Sequence, residues 1–109
     1  MAVTCDEDRR VGGAITERLR AGESLSVIAH GYSMWPFYRD GMRVEVVPCR
    51  SEDVVLGDVV LVHVSGQLLL HRVIGRLGDG LITKGDARRR TDGVIPPERL
   101  LGRTSRRLE

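Results

Sequence analysis

Asp58-Val59-Val60-Leu61-Val62-His63-Val64-Ser65-Gly66-Gln67-Leu68-Leu69-Leu70-His71-Arg72-Val73-Ile74 is the stretch on which the fold turns. Residues 58–64 are rich in valine and leucine, types that suit a pleated and buried surface. Ser65-Gly66 reads as a two-residue turn, since glycine reaches positive φ without steric penalty. Residues 67–75 then return as a second aliphatic strand, so the stretch predicts a β-hairpin. His71 falls in the middle of the second strand, where a single histidine is most simply a structural residue.

Upstream, residues 24–30 alternate with a period of two, Leu25, Val27 and Ala29 against Ser24, Ser26 and Ile28, the spacing of a strand. That strand runs into Gly31-Tyr32-Ser33-Met34-Trp35-Pro36. Gly31 permits a turn, and Pro36 fixes its own φ and pushes Trp35 out of the helical region. Ser33 is therefore presented on a corner. Residues 37–42 read as loop, with Asp40-Gly41 as a turn signal, and residues 43–47 alternate again up to Pro48. Residues 51–56 connect to Gly57. Downstream, Gly78-Asp79-Gly80 turns into a strand at 81–84, residues 87–97 are polar loop, and residues 98–104 close with a short strand or turn. Near the start, Val11, Ile15 and Leu19 recur at helical spacing, so residues 7–21 are expected to form an amphipathic helix with Gly22 at its C-cap. Five or six short strands after one helix predict a mainly β fold, a partly open β-barrel with one N-terminal α-helix. No repeat or linker divides the chain. It is expected to be one domain, 1–109, with the helix at about 7–21 and the β-domain at about 24–104.

A chain of 109 residues with 41% hydrophobic content is large enough for one core. Its 17 basic and 15 acidic residues leave a net charge of +2, which exerts little long-range pull on nucleic acid or anionic lipid. The arginines at 88–90 and within 103–107 read as solvated turn and tail. They lack interleaved aromatics, and no nucleic-acid partner is expected. Cys5 and Cys49 form neither a disulfide framework nor a metal-ligand spacing. Free thiols, a reducing compartment and no metal or cofactor are the expectation. The acidic and basic residues at 6–10 have no apolar core behind them, and nowhere do ~18 apolar residues run together. Neither a signal peptide nor a transmembrane segment is predicted, which points to the cytoplasm.

Chemistry needs a base for Ser33. His30 ends the strand before the serine, too close in sequence to face its hydroxyl, and His63 near the hairpin is expected to face solvent. His71, in mid-strand, reads more simply as structural. Asp86, in Thr83-Lys84-Gly85-Asp86, and Asp92, in Arg90-Thr91-Asp92-Gly93, are the acidic candidates to orient a histidine, and each alone reads as a turn or capping residue.

Taken in order, Gly-x-Ser-Met-x-Pro, Gly57-Asp58-Val59-Val60, His71-Arg72-Val73 and Thr83-Lys84-Gly85-Asp86 resemble the signal peptidase I family. The histidine in place of a lysine is similar to the archaeal and endoplasmic-reticulum branch, and the resemblance covers residues 24–103. It implies the β-fold that signal peptidases share with LexA-like self-cleaving repressors. It also implies Ser33 as nucleophile, His71 as general base, Asp92 as third member of the triad and Asp86 as a supporting acidic residue. Backbone N–H groups of Ser33 and Met34 are the implied oxyanion donors. Lys84 lies on a different motif from the base and is not nominated for that role. Several positions depart from the family. No membrane anchor is visible, Gly31 stands where lysine-type enzymes carry an oxyanion-binding serine, Met42 replaces an aspartate, and Ala87-Arg88-Arg89-Arg90 replaces an asparagine-rich stretch.

The implied function is a soluble serine endopeptidase that processes a peptide or protein precursor, with a shallow pocket for alanine or glycine. A LexA-like self-cleaving domain is the first alternative. Ala21-Gly22 is a bond of the kind such domains cut, but one extended strand at ~3.3 Å per residue would hold it about 30 Å from Ser33. The second alternative is a non-catalytic β-domain that binds peptide along a strand edge. Trp35, Phe37 and Tyr38 beside Ser33 suit a substrate groove, a partner face or peripheral membrane contact. Nothing in the sequence speaks to oligomeric state.

Overall fold

Aliphatic side chains on both sides of residues 59–73 need two covers, and the chain supplies both. The computed structural model describes residues 1–5 and 13–105. Along it run β1 (Ala2–Cys5), α1 (Gly13–Arg20), β2 (Leu25–His30), β3 (Arg43–Val47), β4 (Val59–Val64), β5 (Gln67–Leu77), β6 (Gly80–Lys84), β7 (Val94–Ile95) and β8 (Leu100–Thr104). Short 3-10 turns occupy Ser51–Asp53 and Pro97–Arg99. The described residues are mainly β, with one helix and one sheet of eight strands in the order β1-β2-β3-β8-β4-β5-β6-β7. Ala2 opposite Leu69 additionally joins β1 to β5.

β4 and β5 pair from Val59 opposite Arg72 to Val64 opposite Gln67, around the predicted Ser65-Gly66 turn. Ser65 and Gly66 both have positive φ, 50° and 78°, the combination whose twist matches a hairpin. Val59, Leu61, Leu68 and Leu70 point into one core with Val3, Ile15, Val27 and Met34. Val60, Val62 and Val73 point into the other with Leu81, Ile95 and Leu100. On β2 the expected alternation holds, with Leu25, Val27 and Ala29 buried.

The helix is seen over Gly13–Arg20, with Ile15 and Leu19 buried one turn apart; residues 7–12 of the expected helix lie outside the described residues. Gly22, at φ 88°, ends it as anticipated. Its N–H donates to Leu19 O and that of Glu23 to Arg18 O, both at 3.0 Å, a left-handed C-terminal cap.

Two strands were not expected. β1 is four residues long, too short to declare a period, yet it pairs with β2 from Ala2 opposite His30 to Cys5 opposite Val27. β7 is two residues within the predicted polar loop, held by Leu81 opposite Ile95. Among the described residues no helix is long and apolar enough to cross a membrane.

Leu61 is fully buried between β5 and β8. Leu61→Ala is expected to destabilise the protein by about 2–5 kcal/mol, against less than about 0.5 kcal/mol for exposed Tyr32→Ala, as measured by urea denaturation.

Candidate active site

Where β2 ends, the backbone must reverse within two residues. Gly31 does so at φ 101°, a conformation closed to most side chains. Its N–H donates to Asp40 Oδ1 at 2.8 Å, and Gly41 N–H donates to Ala29 O at 2.7 Å. The loop over residues 31–41 is thereby stapled at its base. Within it Trp35 N–H donates to Tyr32 O and Tyr38 N–H to Met34 O, both at 3.0 Å. Met34, the residue after the serine, is fully buried and anchors the corner by its side chain.

Ser33 is buried, with Oγ 3.1 Å from His71 Nε2. His71 Nδ1 lies 2.6 Å from Asp92 Oδ2. A carboxylate oxygen only accepts, so Nδ1 carries the proton and Nε2 keeps the lone pair that faces the serine hydroxyl. Strand register explains the meeting. Val60 opposite His71 puts the imidazole on the side of the second core, and Val73 opposite Thr83 puts Thr83 on the same side. Thr83 Oγ1 donates to Asp92 Oδ2 at 2.6 Å, and Asp92 N–H donates to Thr83 O at 2.8 Å. Thr83 thus fixes the carboxylate that fixes the imidazole. It belongs to a motif quoted from the sequence, but nothing there marked its hydroxyl.

Asp86 does not join this chain of contacts: it touches neither Ser33 nor His71 and is the supporting acidic residue, bound to Arg72 rather than to the imidazole. Arg72 takes both of its oxygens, Nε to Oδ1 and Nη2 to Oδ2 at 2.8 Å each. A two-point fork of this kind leaves a carboxylate little capacity to orient an imidazole. The fork holds the guanidinium pKa above its ordinary value, the hydrogen bond to Asp86 outweighing the opposing effect of burial. Arg72 also donates to Gly57 O at 2.7 Å and lies over the Phe37 ring, 5.6 Å from its centroid.

The loop after β6 packs directly on the serine. Ala87 N–H donates to Ser33 O at 2.8 Å, and Asp86 N–H donates to Met34 Sδ at 3.3 Å. A Cβ on Gly85 would stand 2.9 Å from Ser33 O and 3.1 Å from His71 Nε2. Glycine is required there by lack of room. Lys84 is spent on the same loop, donating to Gly85 O at 3.0 Å and Arg88 O at 2.7 Å, in keeping with its exclusion as base.

Of the predicted groove residues, Trp35 and Phe37 are exposed. Tyr38 is corrected: half-buried against the first core, its hydroxyl donates to Thr104 Oγ1 at 3.2 Å. With Phe37 it borders a hollow of about 550 Å³ that includes Arg43 and Glu45 and no triad residue. His30 borders the cleft at the serine, but its ring bonds Thr4 Oγ1 at 2.8 Å rather than Ser33 Oγ, and His63 is exposed.

A contact the sequence did not announce reaches Ser33 from β1. The Met1 ammonium donates to Ser33 Oγ at 2.8 Å and to Leu70 O at 3.1 Å. Burial lowers its pKa to about 6, with Arg88 acting in the same direction and Asp92 against it. The His71 pKa is also lowered, chiefly by burial. The hydrogen bond and charge of Asp92 oppose that shift, and the Met1 amine and Arg88 add to it. A serine hydroxyl facing an imidazole that is neutral near pH 7 and held by a carboxylate is an arrangement with which acyl transfer can be performed.

Gly85→Ala is expected to separate Ser33 from His71, lowering Ser33 labelling by a fluorophosphonate at least tenfold at a stability cost of about 1–3 kcal/mol. Asp92→Asn should lower labelling by about 10³–10⁴-fold, whereas Asp86→Asn should cost stability and leave most of the labelling. Equal losses from the two aspartate variants would contradict the division of roles. Scans of the chain against protein-family models, curated proteins and solved structures each returned no match.

Proposed function

We propose that this chain is a serine endopeptidase of signal peptidase type that processes a peptide or protein precursor. The observation that carries the reading is the unbroken line from Ser33 Oγ to His71 Nε2 at 3.1 Å and from His71 Nδ1 to Asp92 Oδ2 at 2.6 Å. Closure of β1 onto β5 through Ala2 and Leu69 supports the partly open barrel of that family. Ser33 attacks the scissile carbonyl as His71 Nε2 accepts its proton. Asp92, braced by Thr83, holds the imidazole and stabilises the imidazolium. His71 then returns the proton to the leaving amine, and a water repeats the cycle on the acyl-enzyme. The backbone N–H groups of Ser33 and Met34 are the proposed oxyanion donors. The cleft beside the serine, bordered by Tyr32, Leu69, His71 and Arg88, holds about 250 Å³, and the preference for alanine or glycine at the cleaved bond is proposed from the family resemblance.

Self-cleavage at Ala21-Gly22 is disfavoured, because the bond is tied into the C-cap of α1 and β2 separates it from Ser33.

Ser33→Ala is expected to abolish fluorophosphonate labelling with the fold intact, and processing that survives this change would refute the mechanism. The reactive form carries neutral His71, and burial disfavours the imidazolium. Labelling should therefore be lost as pH falls through a midpoint below about 6.5 and level off above about 7. A midpoint above 7 would mean that another group is the base.

A further inference from the structure

Arg88, Arg89 and Arg90 read from the sequence as solvated turn, and all three are exposed. Of the three, Arg88 alone borders the cleft at Ser33, with Tyr32, Gln67, Leu69 and His71. Its backbone sets its place there. Arg88 N–H donates to Gly85 O at 2.9 Å, and Arg88 O accepts from Lys84 Nζ at 2.7 Å. Its Cγ lies 3.0 Å from where a Cβ on Gly85 would stand, a point itself 3.1 Å from His71 Nε2. The stem of Arg88 therefore covers Gly85 beside the imidazole. Other arginines are answered within the molecule: Arg18 pairs with Glu23 and Arg72 with Asp86, and Arg76 donates to Ser51 O and Val54 O. Among the described residues the Arg88 guanidinium has neither a hydrogen bond nor an ion pair. The carboxylates of the site are engaged elsewhere. Arg72 takes both oxygens of Asp86, and Asp92 Oδ2 is shared by His71 and Thr83. Of the described residues bordering the cleft none is acidic, and Arg88 supplies the one permanently charged side chain. That charge is felt at the imidazole, where it adds to the lowering of the His71 pKa. A cation on the wall of a cleft, with no anion beside it, attracts negative groups and repels positive ones.

We propose that Arg88 is a specificity-determining residue, which selects a substrate carrying a carboxylate close to the cleaved bond and disfavours one carrying lysine or arginine there. This rests on the peptidase reading for the word cleaved; the charge selection is a property of the cleft. Arg89 and Arg90, outside the cleft, have no part in it.

The probes are three fluorophosphonates of equal length that end in a carboxylate, a trimethylammonium or a neutral amide. Ser33 labelling is followed by intact mass at pH about 8, above the His71 midpoint, and each rate is divided by that of the neutral probe on the same protein. At low salt the carboxylate probe should label the unaltered chain about three- to tenfold faster than the trimethylammonium probe. In about 1 M salt, where the Debye length is about 3 Å, the ratio should approach one. Arg88→Gln should remove the preference and Arg88→Glu invert it. Arg89→Gln takes away the same charge at a position off the cleft and should retain the preference. No preference in the unaltered chain, or equal losses from Arg88→Gln and Arg89→Gln, would overturn the proposal. So would an Arg88→Gln variant that slows all three probes alike. Should no probe label Ser33 in any of these proteins, the peptidase reading fails, and nuclear magnetic resonance decides the charge selection. The ligands are then millimolar acetyl-Ala-Ala-Asp-Ala-amide and its asparagine counterpart. Larger shifts of Ser33, His71 and Arg88 with the aspartate peptide, lost in Arg88→Gln, support the selection; equal shifts or none overturn it.

Discussion

Val60 stands opposite His71 and Leu61 opposite Leu70, and every other feature of the site follows from that register. Side chains alternate across a strand, so a slip of one residue would turn the imidazole into the core of Ile15, Val27 and Met34 and bring Leu70 round to Ser33. Both outcomes bury the wrong group. Aliphatic residues on both faces of β4 and β5 fill two separate cores, and this fixes the register far more firmly than a one-sided pattern could. A buried polar residue in such a strand is tolerable only with partners at both nitrogens, and Ser33 and Asp92 supply them.

The hairpin, β2, β3 and the corner at Ser33 were legible because each states its geometry locally, through alternation or through a glycine and proline at fixed places. Ser33 and His71 were legible as a pair through their motifs. The choice of Asp92 over Asp86 came from the resemblance and not from the residues themselves, since it depends on which carboxylate Arg72 captures, and sequence spacing does not contain that contact. Thr83 was hidden for the same reason: its hydroxyl matters only once β6 is in register with β5. β1 escaped because its pairing partners lie more than twenty residues away in sequence, and four residues cannot show a period.

Crowding at Gly85 complements the register. The loop after β6 approaches the serine so closely that hydrogen bonds to Ser33 O and Met34 Sδ replace side-chain packing. Ser33 is therefore positioned from both directions, by the stapled loop at Gly31 and by backbone laid across its carbonyl. Such positioning from several sides is what keeps reacting groups within a few tenths of an ångström of a working geometry.

Arg72 ties together parts of the chain that otherwise share little: the Gly57 carbonyl, the Asp86 carboxylate and the Phe37 ring. Its side chain is 29% exposed, against 7% for His71 beside it on the strand. With a neutral imidazole the His71–Asp92 contact carries one charge rather than two, so dissolved ions act on the site chiefly through the charged Arg72–Asp86 fork, and the partial burial of that fork keeps their effect small.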